Sequence, residues 1–379
     1  MDGIKILHAA DFHIGSSKSG LKESAYSGSE EIKNTFFKVL NLCRTESVDF
    51  LLIAGDLFDT PFVDSDTFAE ISDAMTQISD TIIAISPGNH DCACPGSVYL
   101  KNSFPKNVVI FTSFTEYFDF TDKNVRLFGA AFTDRFERIP LLSGRLETNP
   151  DMINICVLHG EVISSLSESQ YNPITQSAIK ESGLDYLALG HIHKRSEIEK
   201  SGNTFYSYCG CPDGRGFDED GSRGIYMGTV QKGKCSLKYV QLSSRQYIFH
   251  ETDISDCESS VRISSKILAQ LKERFPDTFD KNLYRVSLTG TLQSPFSPSI
   301  VQIESALGED LLYIKITDRT EADLKDIKNI AKESSLRGIF VQKILEMSNS
   351  ADPKDAEIYH KALKIGLKAF EREVTLGDN

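Results

Sequence analysis

Positions 50–59 read Phe50-Leu51-Leu52-Ile53-Ala54-Gly55-Asp56-Leu57-Phe58-Asp59. The apolar run predicts a buried β-strand, and the Gly-Asp pair that follows it places a carboxylate at the carboxyl end of that strand. One strand end of this kind is weak evidence for function. The same arrangement recurs along the first half of the chain, and each time side chains that can bind a metal follow an apolar strand.

Five predicted strands share this property. They lie at residues 4–10, 50–54, 81–86, 152–158 and 184–189, and they are followed respectively by Asp11 and His13, by Asp56 and Asp59, by Asn89, His90 and Asp91, by His159, and by His191 and His193. The i, i+2 spacing of the first and last pairs points both side chains the same way if the strand end is extended. The carboxyl ends of strands are also the usual location of sites in α/β sheets, so we expect one shared site.

The arrangement of elements predicts an α/β layered fold and more than one domain. Amphipathic helices predicted at residues 30–46 and 64–78 separate the first three strands, and residues 16–29 read as a mobile loop. A chain of 379 residues is longer than a single hydrophobic core usually accommodates. We expect a catalytic domain at 1–245, a small α+β domain at 246–318, and a helical segment at 319–379 with helices at 320–347 and 353–373.

Composition limits the class of protein. The net charge of −13 argues against nucleic-acid binding by overall electrostatics and fits an enzyme whose acidic ligands are neutralised by cations. No apolar run approaches the ~18 residues of a membrane span, and no secretory leader is evident, so we expect a cytoplasmic protein with reduced cysteines and no membrane partner. The Cys92/Cys94 and Cys209/Cys211 pairs lack the spacing of a zinc site, and we interpret them as incidental.

The motif order Asp-x-His, Gly-Asp-x-x-Asp, Gly-Asn-His-Asp, a later His and Gly-His-x-His resembles that of the calcineurin-like metallophosphoesterase superfamily. Within it, residues 6–15 and the Gly-Asp-Leu-Phe-Asp stretch are similar to SbcD-type DNA repair nucleases, and residues 206–224 are similar to the YhaO-like branch. The resemblance implies a two-sheet β-sandwich flanked by helices, with a small α+β cap domain that positions DNA and helices at the C-terminus. Strands at 205–208, 224–231 and 235–242 are expected to complete the second sheet.

The resemblance also implies two divalent metal ions. One would be held by Asp11, His13, Asp56 and His193, and the other by Asp56, Asn89, His159 and His191, so that Asp56 bridges them. Carboxylate, amide and imidazole ligands without a thiolate suit Mn²⁺, Fe or Zn²⁺ better than Ca²⁺. Of these we expect Mn²⁺, with Fe or Zn²⁺ as alternatives. Water shared by the ions would become hydroxide and attack phosphorus.

Other residues have expected roles next to these ligands. His90 would protonate the leaving oxygen as general acid, with Asp59 accepting from its other ring nitrogen. Asp91 is a candidate either for supporting a metal ligand through a hydrogen bond or for capping. His8 is expected in the core, and His250 and His360 lie outside the site. Arg215 and Arg223 either contact phosphate or form a solvated surface turn, and the sequence leaves both interpretations open.

The sequence therefore supports a metal-dependent DNA phosphodiesterase, an exonuclease with endonuclease activity as a further possibility, acting in DNA double-strand-break repair. The alternative with the same site is a phosphatase or a cyclic-nucleotide phosphodiesterase, which the acidic charge favours. A non-catalytic scaffold is a third hypothesis. The resemblance implies DNA, an SbcC-type coiled-coil ATPase and a second copy of the chain as partners. An apolar stripe at 358–370 either packs on the cap domain or docks such a partner.

Overall fold

The computed structural model describes residues 3–16, 28–164, 169–292, 296–322, 324–349 and 352–370. Most of the loop predicted at 16–29 lies outside the described residues. The chain divides into two compact units, Met1–Gln246 and Tyr247–Asn379. Each unit has its own sheet or sheets and its own apolar core, and each is described separately below.

The first unit begins with alternating strands and helices and continues mostly with strands. Its strands are β1 (Ile4–Ala9), β2 (Phe50–Ile53), β3 (Ile82–Ile85), β4 (Val108–Ile110), β5 (Glu116–Phe120), β6 (Val125–Gly129), β7 (Ile153–His159), β8 (Glu161–Ile163), β9 (Pro173–Thr175), β10 (Tyr186–Gly190), β11 (Glu199–Ser201), β12 (Thr204–Tyr208), β13 (Gly224–Gln231) and β14 (Lys234–Gln241). Its helices are α1 (Gly28–Thr45), α2 (Ser65–Thr76), α3 (Val98–Lys101) and α4 (Gln176–Glu181).

Two six-stranded sheets form the frame of this unit. The first has the order β14-β13-β1-β2-β3-β4, in which β1 to β4 are parallel. The second has the order β11-β12-β10-β7-β6-β5, in which the four central strands are parallel. The predicted two-sheet α/β architecture is therefore confirmed.

Strand alternation divides the apolar side chains between two layers. In β1, Ile4 and Ile6 belong to the core that contains residues of both sheets, whereas Leu7 and Ala9 belong to the core formed with α1 and α2. Because both faces of the central strands are buried, these strands read as continuous apolar runs in the sequence. This is why their positions could be predicted within a few residues.

The position of β13 and β14 corrects one expectation. Only β12 joins the second sheet, whereas β13 pairs antiparallel with β1, from Ile4 opposite Val230 to His8 opposite Tyr226, and β14 pairs with β13. These two strands therefore extend the first sheet. Apolar alternation identifies a strand but does not specify which of two sheets it joins, so the sequence could not decide this point.

The second unit begins with a β-α-β-β-α-β segment. Its elements are β15 (Tyr247–Asp253), α5 (Ser260–Arg274), β16 (Leu283–Thr289), β17 (Thr291–Leu292), α6 (Ile300–Leu307), β18 (Tyr313–Asp318), β19 (Glu321–Ala322), α7 (Leu324–Ile330), α8 (Leu336–Asn349) and α9 (Pro353–Phe370). Strands β15, β16 and β18 form a parallel sheet. Helices α5 and α6 provide the crossovers that parallel pairing requires.

The prediction of a single helix at 320–347 is wrong, because this stretch contains two helices. The stretch is divided into α7 and α8 by a turn at 331–335, and the Ser335 hydroxyl accepts a hydrogen bond from the Gly338 amide at 3.1 Å. A serine that accepts from an amide three residues later is typical of the start of a helix, so a new helix begins at this residue.

The apolar stripe predicted near the C-terminus is partly buried. Leu363 and Leu367 lie in a core with side chains of α7 and α8, whereas Ile358 is 62% exposed. No helix in the described ranges is both long and apolar enough to cross a membrane.

Candidate metal centre

The candidate ligands follow the carboxyl ends of parallel strands in both sheets. Asp11 and His13 follow β1, Asp56 follows β2, Asn89 and His90 follow β3, His159 ends β7, and His191 and His193 follow β10. The Nδ1 atom of His159 lies 2.9 Å from the carbonyl oxygen of Ala54, which joins the two sheets at this end. Gly55 has a φ of +90° and packs against the imidazole of His159, so a side chain at position 55 would collide with that ring.

The backbone at these strand ends is not extended, which corrects the geometric reason given for the i, i+2 pairs. Asp11, His13, Asp56 and His191 have φ angles of 54°, 52°, 51° and 94°. Non-glycine residues with positive φ are uncommon, and they occur where surrounding bonds impose them. Here the amides of Asp11 and His13 donate to the carbonyl oxygens of Gly55 and Asp56 at 3.0 and 2.9 Å.

The side chains predicted to hold the first ion lie close together. Asp11, His13 and His193 can each place a ligand atom within 4.8 Å of the others. The Nε2 atoms of His13 and His193 are 3.3 Å apart, and His13 Nε2 is 3.7 Å from Asp56 Oδ2. Asp11, His13 and Asp56 are at most 1% exposed, so these atoms are sheltered from water.

The side chains predicted to hold the second ion also converge. The amide oxygen of Asn89 lies 2.9 Å from His159 Nε2 and 3.2 Å from His191 Nδ1. Oxygen Oδ2 of Asp56 is 3.5 Å from His159 Nε2. Asp56 therefore lies between the two predicted sets, as a bridging ligand would. The assignment of individual ligands to individual ions stays a prediction.

The hydrogen bonds of His159 leave a group of acceptor atoms that a cation could bind. The Ala54 carbonyl can only accept, so His159 Nδ1 carries the hydrogen and Nε2 carries a lone pair. Burial lowers the pKa of His159 well below its ordinary value, which keeps the ring neutral. The lone pair of Nε2 then faces the Asn89 amide oxygen and a carboxylate oxygen of Asp56. Three converging acceptors repel one another unless a positive ion lies among them.

The buried carboxylates of Asp11 and Asp56 also require a positive charge nearby. Burial raises the pKa of Asp11 to about 6, although His193 and the His191 amide act in the opposite direction. Burial, with the charges of Asp91 and Asp11, raises the pKa of Asp56 well above its ordinary value. Negative charge at these positions is therefore costly unless cations balance it.

His90 lies at the exposed edge of the cluster. Its side chain is 40% exposed, and its ring contacts that of His13 edge-on, with centroids 4.6 Å apart. Its Nδ1 is 3.4 Å from the backbone carbonyl oxygen of Asp59 and 3.7 Å from the carboxylate of that residue. The Asp59 carboxylate lies nearer to His13 Nδ1, at 3.3 Å, so it is shared between two imidazoles.

Sequence reasoning missed one residue of this centre, Glu219. It is 4% exposed, and its Oε1 lies 2.6 Å from Nδ1 of His193. Arg215 donates to Glu219 from its guanidinium at 3.0 Å and from its backbone amide at 2.7 Å. Burial alone would raise the pKa of Glu219, but the His193 hydrogen bond and the Arg215 charge together lower it below its ordinary value. Glu219 is therefore a carboxylate that fixes the orientation of a candidate ligand.

Arg215 and Arg223, for which the sequence predicted the same two alternatives, have different roles in the structure. The guanidinium of Arg215 lies 3.7 Å from the Asp59 carboxylate and 3.2 Å from His193 Nδ1, so it belongs to the centre. Arg223 is 8% exposed and donates to the backbone carbonyls of His193, Glu219 and Asp220, which makes it a support of the loop.

The remaining polar candidates are structural. Asp91 is buried and accepts from the amides of Phe58 and Gly88 and from the Tyr99 hydroxyl, so it fixes the turn after β3. His8 is buried inside β1, with Nδ1 2.8 Å from the Tyr186 hydroxyl. A core position for His8 agrees with the expectation from the sequence.

The sequence of this chain is similar to those of proteins described as phosphoesterases and nucleases. Residues 4–195 match the family described as calcineurin-like phosphoesterase. The chain is 26% identical over 288 residues to the uncharacterized metallophosphoesterase YhaO of Bacillus subtilis, covering 73% of this chain and 68% of that protein. It is 23% identical over 369 residues to the DNA double-strand break repair protein Mre11 of Methanopyrus kandleri, covering 88% and 77%. It is 24% identical over 273 residues to the SbcD component of the nuclease SbcCD of Escherichia coli, covering 61% and 66%.

Proposed function

Since the chain belongs to the calcineurin-like phosphoesterase family, we propose that it is a metal-dependent DNA phosphodiesterase, an exonuclease that also cuts internally, in DNA double-strand-break repair. The observation that carries this proposal is the convergence of seven ligand-type side chains beside the accessible ring of His90: Asp11, His13, Asp56, Asn89, His159, His191 and His193. The name of the Mre11 relative supports DNA as the substrate, and the name of the SbcCD relative supports nuclease activity.

We propose that these seven side chains hold two divalent ions, with Mn²⁺ preferred and Fe or Zn²⁺ as alternatives. When bound, such ions neutralise charge on a phosphodiester and make water nucleophilic near neutral pH. The protein itself holds the ligand atoms in position and shields them from bulk water. Burial of Asp11, Asp56 and His159 and the bond from His193 to Glu219 serve that purpose.

His90 is suited to give a proton to the leaving oxygen. Its Nδ1 faces only acceptor atoms of Asp59, so that nitrogen carries a hydrogen. Through this contact Asp59 orients the ring, and Nε2 is the nitrogen that we propose donates the proton. With 40% of the side chain exposed, this ring can reach a bound substrate. Proton donation from an imidazole so placed contributes about 10²–10⁴-fold to rate.

Further parts of the proposal concern location and partners. We propose that the protein acts in the cytoplasm, that the second unit helps to position DNA, and that an SbcC-type coiled-coil ATPase and a second copy of the chain assemble with it. Exposed apolar side chains on α8 and α9, such as Ile339 and Ile358, provide a surface on which such an ATPase could dock.

Incubation of the purified protein with Mn²⁺ and end-labelled linear duplex DNA tests the proposal. We expect shortening of the labelled strand that stops in chelator and is absent in Asp56→Asn, which loses the shared carboxylate. The net charge of −13 is the observation that favours a phosphatase or cyclic-nucleotide phosphodiesterase instead. Intact DNA together with cleavage of a small phosphoester would establish that alternative and reject the nuclease.

A further inference from the structure

A row of aromatic rings leads from the metal centre to the surface of the first unit. The ring of Tyr171 packs on that of His191, with centroids 4.8 Å apart and planes at 34°. The ring of Phe136 follows, 5.7 Å from Tyr171 and at 43° to it. Phe136 is 44% exposed, so the row begins at a candidate ligand and ends in solvent.

The segment that carries Phe136 is fixed in place by backbone bonds. Glu137 and Tyr171 form an isolated parallel β-bridge. The Glu137 amide donates to the Gln170 carbonyl at 3.0 Å, and the Asn172 amide donates to the Glu137 carbonyl at 2.6 Å. Arg138 also donates to the Gln170 side chain at 2.9 Å. An exposed aromatic ring on a segment held this way is presented to solvent by the fold.

Phe136 lies in the segment Asp134-Arg135-Phe136-Glu137-Arg138, in which two basic and two acidic residues flank the ring. Arg135 lies with its guanidinium 5.9 Å from the Phe136 ring centroid. Within the described ranges, neither Arg135 nor Arg138 forms an ion pair with an acidic side chain. The Asp134 and Glu137 carboxylates instead accept from the backbone amides of Arg135 and Ile139. An exposed ring beside two arginines that form no ion pair within those ranges matches the combination of cation and aromatic that binds single-stranded nucleic acid.

We propose that Phe136 and Tyr171 form a stacking site, the Phe136–Tyr171 platform, for the nucleobase of the nucleotide whose phosphate lies at the metal centre. This inference rests on the proposed function, because it assumes that the phosphate of a nucleotide binds there. Stacking on an aromatic ring accepts any base, since every base has a π face. The platform would therefore select nucleotides over other phosphoesters without selecting a sequence.

Direct binding to Mn²⁺-loaded protein tests the platform without relying on turnover. Calorimetry would compare deoxyadenosine monophosphate with 2-deoxyribose 5-phosphate, which lacks the base. Because removal of a stacking ring costs about five- to 150-fold in affinity and Phe136 offers one partly covered ring, we expect a preference of about five- to 20-fold for the nucleotide. Phe136→Ala should reduce that preference to within about twofold, and Phe136→Tyr should restore it.

Phe114→Ala is the matched control, because Phe114 is 67% exposed and has no ring contact among the described residues. It should keep the preference of the wild type. Equal affinities for the two phosphates, including no detectable binding of either, or the same preference in Phe136→Ala, would overturn the platform.

A parallel arm with linear DNA separates the two proposals. DNA that stays intact while the base preference persists would reject the nuclease and leave a platform that serves free nucleotides. DNA that is degraded by a protein without base preference would reject the platform and leave the nuclease.

Discussion

Glu219→Gln removes the charge of the carboxylate that holds His193 while keeping the shape of the side chain. In the native structure one carboxylate oxygen of Glu219 faces His193 Nδ1 at 2.6 Å, and both oxygens accept from Arg215. A glutamine has only one acceptor oxygen. If that oxygen accepts from His193 and from the Arg215 guanidinium, the NH₂ group faces the backbone amide of Arg215, and in the reverse orientation the hydrogen bond from His193 is lost.

The size of the effect follows from the hydrogen bond that is weakened. A hydrogen bond to a charged group contributes about 1.5–3 kcal/mol, and substituting a residue that orients a metal-binding imidazole costs about 10–100-fold in metal affinity or activity. Glu219 is only 4% exposed, so water cannot replace the lost contact. We therefore expect the affinity for the Mn²⁺ ion that we propose His193 binds to fall about 10–100-fold, with a matching loss of kcat/KM at limiting Mn²⁺.

Competition with a chelating dye measures that affinity, and a titration of activity with Mn²⁺ measures its consequence. Excess Mn²⁺ should restore much of the rate, because His90 and Asp59 are unchanged. Glu197→Gln is the control, since Glu197 is 86% exposed and lies 3.9 Å from Arg195 in a surface ion pair. If Glu219→Gln binds Mn²⁺ as tightly as Glu197→Gln does, the orienting role of Glu219 is refuted.

Three further predictions concern the proton donor, the metal and a buried histidine. His90→Gln should lower kcat about 10²–10⁴-fold with Mn²⁺ affinity within about twofold of wild type; an unchanged kcat in a steady-state assay would remove the acid role of His90. Mn²⁺ at about 100 times its Kd should stabilise the first unit by about 2.7 kcal/mol, or roughly 5–10 °C in a thermal melt, and Asp56→Asn should lose most of that shift; a full shift in the variant would contradict the shared site. Burial lowers the pKa of His8 to about 3, so the unfolded chain takes up a proton below about pH 6.5 that the folded chain refuses, and stability falls as the pH falls from 6.5 towards 3. Between pH 7 and 5 this costs about 2 kcal/mol, which urea unfolding of His8→Gln should recover relative to wild type; an equal loss in both proteins would show that His8 is not responsible.

The strands could be predicted because they depend on a local pattern, and the structure brings together the side chains predicted at their ends. Central strands buried on both faces give continuous apolar runs, and the ligands directly follow those runs. The convergence of Asp11 with His13 was predicted from an extended strand end, but both residues have positive φ. The sequence gives no sign of this conformation, because it is imposed by bonds to Gly55 and Asp56, which lie about 40 positions away along the chain.

Glu219 was missed for a related reason. It lies 26 positions after His193, in a glycine-rich stretch without apolar periodicity, and only the folded loop brings the two side chains together. Arg215 in the same stretch was noticed, but sequence could not distinguish a solvated arginine from one bonded to a buried carboxylate. The assignment of β13 to the first sheet was likewise a matter of long-range pairing.

The acidic charge of the chain is compatible with a nuclease if few phosphates are bound and if the site supplies its own positive charge. Asp11 and Asp56 contribute to the net charge of −13, yet both lie buried where only cations can balance them, so they repel DNA less once the centre is loaded. Each phosphate neutralised by a basic side chain steepens the dependence of affinity on salt, and the basic Arg135 and Arg138 are accompanied by the acidic Asp134 and Glu137. Affinity must then come from the ions and from contacts that carry no charge. A base stacked on Phe136 is a contact of that kind, and it would hold one nucleotide at the centre without attracting the rest of the duplex.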